Sequence, residues 1–322
     1  MKLKEIQKPI THELAKFESY FKQSMRSSAP LLNKITQYIL KTKGKQMRPM
    51  FVFFSAGLCG EISESTYRGA ALVELLHTAS LVHDDVVDNA NERRGFFSIN
   101  ALWKNKIAVL IGDYLLAKGL LLSVKNEEYK LLKIVAEAVE EMSEGELLQI
   151  EKARHLDIEE DVYYEIIRKK TASLISSCCA SGAVSAGASE ELVSKMKDFG
   201  EKIGLAFQIK DDLFDFGTDD VGKPLGNDIK EKKLTLPLIY ALKNVSWVEK
   251  RRIINLIKHH RGEKEKVEQV IDFVRQSGGL EYAESKMNQF KEEAFTILEQ
   301  FPNSTYKTGL EQLVNFTTSR IK

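Results

Sequence analysis

Proline is scarce in this chain: six occur in 322 residues, and none lies between Pro49 and Pro224. Proline removes a backbone donor and clashes with the preceding turn, so a gap that long favours helices through the middle of the chain. Cysteine is nearly missing too. Cys59, Cys178 and Cys179 cannot build a disulfide framework, which points to a reducing, cytoplasmic location. Neither sign of charge is in excess, with 47 Lys+Arg against 46 Asp+Glu. That balance excludes the basic footprint of a nucleic-acid protein. With 43% apolar residues it also excludes disorder. No uncharged apolar run reaches the length of a membrane span, so no transmembrane segment is expected. The start, MKLKEIQKPITHELAKF, lacks the apolar stretch of a signal peptide. Zinc-type Cys/His clusters, Walker and Rossmann glycine motifs and the Gly-x-Ser-x-Gly elbow are all missing.

What the chain does have is helical periodicity. In 108–124 (AVLIGDYLLAKGLLLSV) and in 131–150, apolar residues recur at three- and four-residue steps. Strict alternation is nearly missing, and no linker or repeat stands out. The expectation is an all-α, single-domain bundle of about a dozen helices spanning residues 1–322.

Two of those helices are unusual. One, over roughly 65–89, carries GAALVELLHTASLVHDDVVD, apolar on nearly every face, and closes on Asp84, Asp85 and Asp88. The other, over roughly 192–216, carries IGLAFQIKDDLFDF and closes on Asp211, Asp212 and Asp215. Both end in Asp-Asp-x-x-Asp. Asp84 and Asp88 stand at i and i+4, on one face and ~6 Å apart along the axis, as do Asp211 and Asp215. Six carboxylates on apolar helices demand cations. Mg²⁺ suits them, because it takes few carboxylates and is completed by water and substrate phosphates. One such motif is often only a solvated acidic helix end, whereas two that each follow an apolar run point to a metal–phosphate site. Lys45, Arg48, Arg93, Arg94, Lys169, Lys170, Lys223, Lys230, Lys232 and Lys233 cluster near these motifs or near glycine turns, as a pyrophosphate clamp requires. His77 stands two turns before Asp84 and could reach a phosphate, although a histidine in an apolar helix is more often a bonded core residue.

Together these segments resemble the trans-isoprenyl diphosphate synthases. The resemblance rests on GKQMRP at 44–49, LLHTASLVHDDVVDNANERRG at 75–95, GDYLLAKG at 112–119, EGELLQIE at 144–151, KKTASL at 169–174, FQIKDDLFDF at 207–216 and GKPLGNDIKEKKLTLPLIY at 222–240, all in family order. It implies a bundle around a deep central cavity, a homodimer, and head-to-tail condensation of isopentenyl diphosphate with an allylic diphosphate. Two to three Mg²⁺ ions would be bound by Asp84, Asp88 and Asp211, supported by Asp85, Asp212 and Asp215. Arg93, Lys170, Lys223 and Lys233 would hold the allylic diphosphate. Lys45, Arg48, His77 and Arg94 would hold isopentenyl diphosphate. Lys170, Thr171 and Gln208 would serve at the reacting centre, the last two facing the carbocation. The departing pyrophosphate would accept the lost proton.

Product length follows from the same resemblance. Only Val86 and Val87 separate Asp85 from Asp88, and short-chain bacterial members often carry a two-residue insertion there. The prenyl tail should run back along this helix past Ser80, Ala79 and Leu76. Short-chain members often place an aromatic residue at the positions of Ala79 or Ser80, and both are small here. A long product, octaprenyl as the single best length, is the expectation, with the floor supplied from 114–124. The alternatives are a farnesyl or geranylgeranyl synthase and a non-catalytic regulatory subunit. A terpene cyclase would not need Lys45, Arg48 and Arg94. A transmembrane segment is not expected, which still leaves transient membrane contact for product release.

Overall fold

The computed structural model describes residues 3–42, 44–93, 95–156, 159–217 and 226–319. The chain is all-α, as expected. Its helices are α1 (Leu3–Ile6), α2 (Thr11–Ser24), α3 (Pro30–Lys41), α4 (Met47–Cys59), α5 (Glu64–Val87), α6 (Ile99–Lys125), α7 (Tyr129–His155), α8 (Glu160–Ile167), α9 (Ser173–Ser185), α10 (Glu190–Phe214), α11 (Asn227–Lys230), α12 (Leu236–Lys243), α13 (Trp247–His259), α14 (Lys264–Gln276), α15 (Gly279–Glu299) and α16 (Thr305–Thr318). Two-residue strands, β1 (Glu92–Arg93) and β2 (Phe96–Phe97), pair antiparallel between α5 and α6. The chain divides into two compact units.

The first unit comprises Met1–Val139, Ile175–Lys197 and Phe301–Leu310. Helix α5 packs along α6 here. Ser63 starts α5, its N–H donating to the Thr66 hydroxyl at 3.1 Å. From Tyr67 to Ala79 nearly every side chain of α5 is buried, as its all-round apolar pattern demands. The α6 residues facing it are small: Gly119 leaves room for Leu72 and Leu76, and Gly112 for the His83 ring. Phe51, Phe53 and Phe54 of α4 and Phe17 of α2 fill the rest of this core.

Beyond its first turn, where Ile99 and Asn100 are buried, helix α6 buries only a narrow seam: Ala108, Ile111, Gly112, Leu115, Gly119 and Ser123. Val109, Leu110, Leu120, Leu121 and Val124 are exposed. An 18-residue window of α6 has mean hydropathy 1.9, and 33% of it is buried. By length and composition this helix could cross a membrane, although Asp113 and Lys118 interrupt its apolar run. The helix is broken near its start at Lys104, whose φ is 73°.

The second unit comprises Glu140–Leu174, Asp198–Gln300 and Glu311–Lys322. Its core joins Tyr163 and Ile167 of α8, Leu205 and Ile209 of α10, Leu238 and Leu242 of α12, and Val270 and Val274 of α14. Between α8 and α9 the chain winds one π-helical turn, Arg168–Ala172, closed by the Ser173 N–H bonding to the Arg168 carbonyl. Wide turns of this kind are uncommon and frequent at functional sites. Two glycines admit this one. A methyl group at Gly145 of α7 would stand 2.8 Å from Lys169 Cβ and from Lys170 N, and one at Gly204 of α10 would overlap Ala172.

Candidate active site

The end of α5 gathers the first acidic motif. Asp84 is half-buried, and Asp88 is exposed and caps the helix, its N–H bonding to the Asp84 carbonyl at 2.8 Å. Asp85 is buried and accepts from Arg93 Nε at 2.7 Å. Burial pushes the Asp85 carboxyl up from its ordinary value; Arg93 opposes this, and the charge of Asp88 adds to it. Arg93 reaches back from the second residue of β1, in the short hairpin that follows α5. Arg94 lies outside the described residues.

Further back on α5, Ala79 is fully buried, Leu76 lies against Gly119, and His77 is buried. The Ser80 hydroxyl is turned onto the His77 carbonyl at 3.0 Å. His83 leans onto α6, its Nε2 3.2 Å from the Val109 carbonyl and 3.6 Å from Asp113. Lys45 is exposed, just ahead of α4. Arg48 sits in the first turn of α4, behind Gln46, whose φ of 53° is left-handed. The Cys178 thiol is pushed well up by burial, with Cys179 and Glu74 adding and Arg48 opposing. That places Arg48 and Glu74 within electrostatic reach of one buried thiol.

The second motif is more heavily bonded. Asp211 is exposed. Asp212 is fully buried, with Oδ2 accepting from the Tyr163 hydroxyl at 2.8 Å and Oδ1 from Gln208 Nε2 at 2.9 Å and Lys233 Nζ at 3.2 Å. Asp215 accepts from the backbone N–H groups of Asn227 and Asp228, at 2.8 and 3.1 Å. Burial nevertheless holds the Asp215 carboxyl above its ordinary range, against those two bonds. Asp228, 3.6 Å from Lys233, is pushed up to about 7 by burial, with Lys233 opposing. Burial alone would lower the Lys233 ammonium, but Asp212 and Asp228 outweigh it and hold its pKa up.

The π-turn brings the remaining candidates to the same place. Thr171 Oγ1 donates to Gln208 Oε1 at 2.8 Å. Lys170 is ion-paired with Glu146 and bonded to Gln149 at 3.4 Å, while Lys169 pairs with Glu144 and Glu165. Gln149, Tyr163, Lys232 and Lys233 line a recess beside these groups. Lys223 lies outside the described residues. Sequence alone singles out neither Tyr163 nor Asp228. Tyr163 sits in an apolar helix, where an aromatic reads as core, and Asp228 is one more acid within GKPLGNDIKEKKLTLPLIY.

Among the described residues no three His, Cys, Asp or Glu side chains form a closed metal cage. The donor set still fits a hard divalent ion. In the first unit Asp84 and Asp88, and in the second Asp211, offer carboxylate oxygens that are not fully buried, and an ion completed by water and phosphate needs only a few such oxygens. Cationic groups near carboxylates, a hydroxyl–amide pair and an acid-rich helix end are what an anionic leaving group and a developing positive charge require.

Comparison with known proteins identifies the family and the fold. A family model described as polyprenyl synthetase matches residues 29–274. The chain is 36% identical to an all-trans-nonaprenyl-diphosphate synthase (geranyl-diphosphate specific) of Rhodobacter capsulatus, covering 98% of this chain and 97% of the relative. A crystal structure of a decaprenyl diphosphate synthase from Rhodobacter capsulatus superposes with a TM-score of 0.93 at 32% identity, covering 100% of both chains. A polyprenyl synthase from Caulobacter crescentus, complexed with calcium and isoprenyl diphosphate, superposes with a TM-score of 0.90 at 31% identity, over 99% of this chain and 98% of that one. Heptaprenyl, octaprenyl and geranylgeranyl diphosphate synthases also match.

Proposed function

The chain belongs to the polyprenyl synthetase family and is a prenyltransferase of the trans-polyprenyl diphosphate synthase type; from that premise we propose that it makes a long-chain product, octaprenyl as the best single length, from isopentenyl diphosphate and an allylic diphosphate. The small, buried Ala79 carries the length reading, since no ring stands on α5 one turn behind Asp84. Leu76, Ala79 and Ser80 are the residues we assign to chain length. Relatives named for seven-, eight- and nine-unit products support the reading, and those named for geranylgeranyl products keep the short-chain alternative in play. Retention of all six aspartates opposes a non-catalytic regulatory subunit.

We assign Asp84, Asp88 and Asp211 to Mg²⁺, two or three ions in all, with Asp85, Asp212 and Asp215 in support. The bound ions would neutralise the charge that develops on the leaving pyrophosphate. The calcium in the Caulobacter enzyme supports a hard divalent cation of this kind. Arg93, Lys170, Lys223 and Lys233 hold the allylic diphosphate as its carbon–oxygen bond breaks. Lys45, Arg48, His77 and Arg94 hold isopentenyl diphosphate, whose double bond attacks the cation. Thr171 and Gln208 turn oxygen atoms toward the positive carbon, and apolar side chains keep water from quenching it. The departing pyrophosphate takes the proton.

We further propose that residues 1–322 act as one polyprenyl synthase domain, that the protein is cytoplasmic, and that it is a homodimer. A second copy would cover Val109, Leu110, Leu120, Leu121 and Val124, an apolar surface that water would otherwise meet. Sedimentation equilibrium of the wild type and of Leu120→Glu/Leu121→Glu checks the dimer, and a monomeric wild type would remove it. Incubating the enzyme with labelled isopentenyl diphosphate, several allylic primers and Mg²⁺, then sizing the dephosphorylated products, decides the length. Ala79→Tyr should cut the product to farnesyl or geranylgeranyl length while the first condensation continues. Unchanged long products from a stably folded Ala79→Tyr enzyme would rule out the tail's path along α5.

A further inference from the structure

Asp212 has three donors on its two oxygens, which leaves it little capacity for a metal ion. Its surroundings also fix the direction of every proton nearby. A carboxylate only accepts hydrogen bonds. Gln208 must therefore turn its amide NH₂ toward Asp212 and its carbonyl oxygen away. That oxygen is the atom 2.8 Å from Thr171 Oγ1. A carbonyl oxygen also only accepts, so Thr171 commits its single proton to Gln208. Both lone pairs of the half-buried Thr171 oxygen are then left facing away from Gln208. The bonds run one way, from Thr171 through Gln208 to Asp212.

Tyr163 determines how Asp212 is held. Its hydroxyl, on a side chain 2% exposed, occupies Oδ2 at 2.8 Å, which leaves Oδ1 to Gln208 and Lys233. Gln208 and Asp212 stand one turn apart on α10, and Thr171 comes from the π-turn admitted by Gly145 and Gly204. The chain is thus built from three segments of one unit. We propose that Tyr163 and Asp212 are positioning residues that fix the hydrogen-bond polarity of the Gln208–Thr171 pair, so that Thr171 presents lone pairs and never its proton to the positive carbon. A freely rotating hydroxyl would spend part of its time with the proton aimed at the cation, and would repel it. The proposal rests on the assignment of Thr171 and Gln208 to the reacting carbon.

A double-mutant cycle on kcat tests it. Tyr163→Phe removes the hydroxyl but keeps the ring and its edge contact with Tyr164, 5.4 Å between centroids. Thr171→Val removes the oxygen and keeps the shape. Each variant is first melted and then assayed well below its own transition. Thr171→Val should lower kcat on the order of a hundredfold, the scale of losing one electrostatic stabiliser. Tyr163→Phe alone should lower it roughly tenfold, with both KM values within about twofold of wild type. In the Thr171→Val background Tyr163→Phe should lower kcat no further. If the two losses multiply, Tyr163 does not act through Thr171 and the clamp is refuted. If Thr171→Val keeps wild-type kcat, the assignment of Thr171 to the reacting carbon fails, and the clamp falls with it. Asp212→Asn provides a second route should Tyr163→Phe fold poorly, because an amide can face Gln208 with either end. It should lower kcat and leave the Mg²⁺ concentration for half-maximal rate unchanged. A raised Mg²⁺ requirement would make Asp212 a metal ligand and overturn its positioning role.

Discussion

The ends of α5 and α10 carry the same five-residue pattern in different surroundings. In both, the second aspartate is the buried one and pairs with a cation from the chain that follows: Asp85 with Arg93, Asp212 with Lys233. In both, an outer carboxylate stays exposed, Asp88 in one and Asp211 in the other. The difference lies in how firmly each is held. Asp85 has Arg93, which is itself 36% exposed. Asp212 has a tyrosine, a glutamine and a lysine, and Asp215 has two backbone amides from the start of α11. Identical spacing therefore carries two degrees of preorganisation. The spacing sets where the carboxylates stand on the helix. Tyr163, 49 positions earlier, and residues 12 to 21 positions further along make the second motif the more firmly held.

The sharpest break in that comparison is between outer and inner aspartates. Asp84→Ala and Asp211→Ala should each lower kcat on the order of a thousandfold or more, since each removes a ligand we have proposed for the ions that would neutralise the leaving group. Helical circular dichroism should be unchanged, and EDTA should abolish turnover until Mg²⁺ is restored. Asp85→Asn should cost clearly less than Asp84→Ala. Turnover within tenfold of wild type in either outer variant would remove that aspartate from the metal site.

The second effect is on stability and separates the two inner aspartates. Asp212→Ala leaves the Tyr163 hydroxyl and Gln208 Nε2 without their acceptor and Lys233 with Asp228 as its remaining carboxylate, where water scarcely reaches. Breaking a buried pair in this way costs ~3–5 kcal/mol. Asp85→Ala frees an arginine that can turn to solvent, so its cost should stay at ~1 kcal/mol or below. Denaturant melts of the metal-free proteins measure both. Equal losses would mean that the two ends are equally preorganised.

Much of this architecture was legible in the sequence. The helix expected over 65–89 is Glu64–Val87, and that expected over 192–216 is Glu190–Phe214. All-round apolarity and i, i+4 carboxylates are local properties, and local properties survive folding. What stayed hidden depends on contacts distant in sequence or on irregular backbone. Apolar periodicity cannot reveal the π-turn at Arg168–Ala172, because what admits it is a missing side chain on other helices, at Gly145 and Gly204. Tyr163 looks like any core aromatic until its hydroxyl is found on Asp212, 49 residues away. Lys233 looked like a phosphate ligand, and the structure adds that it already neutralises two carboxylates.

That double duty decides how the smallest effect should be measured. The two diphosphates are assigned to different cations, and the assignment can be tested only with residues whose loss does not unsettle Asp212. Lys233 fails that condition. Lys170 meets it, since its partners Glu146 and Gln149 are only partly buried and can be rehydrated. In the first unit Arg48 sits in the opening turn of α4, away from the acidic motif in sequence. Each truncation removes a charge-assisted hydrogen bond, worth ~1.5–3 kcal/mol, or roughly ten- to a hundredfold. Arg48→Ala should raise KM for isopentenyl diphosphate by about that factor and leave the allylic KM nearly unchanged. Lys170→Ala should do the reverse, or lower kcat where the lysine acts mainly as the carbon–oxygen bond breaks. The allylic primer is varied at saturating isopentenyl diphosphate, and then the converse. If each variant shifts both KM values equally, the division of cations between the two substrates is wrong, and the two regions serve the diphosphates jointly.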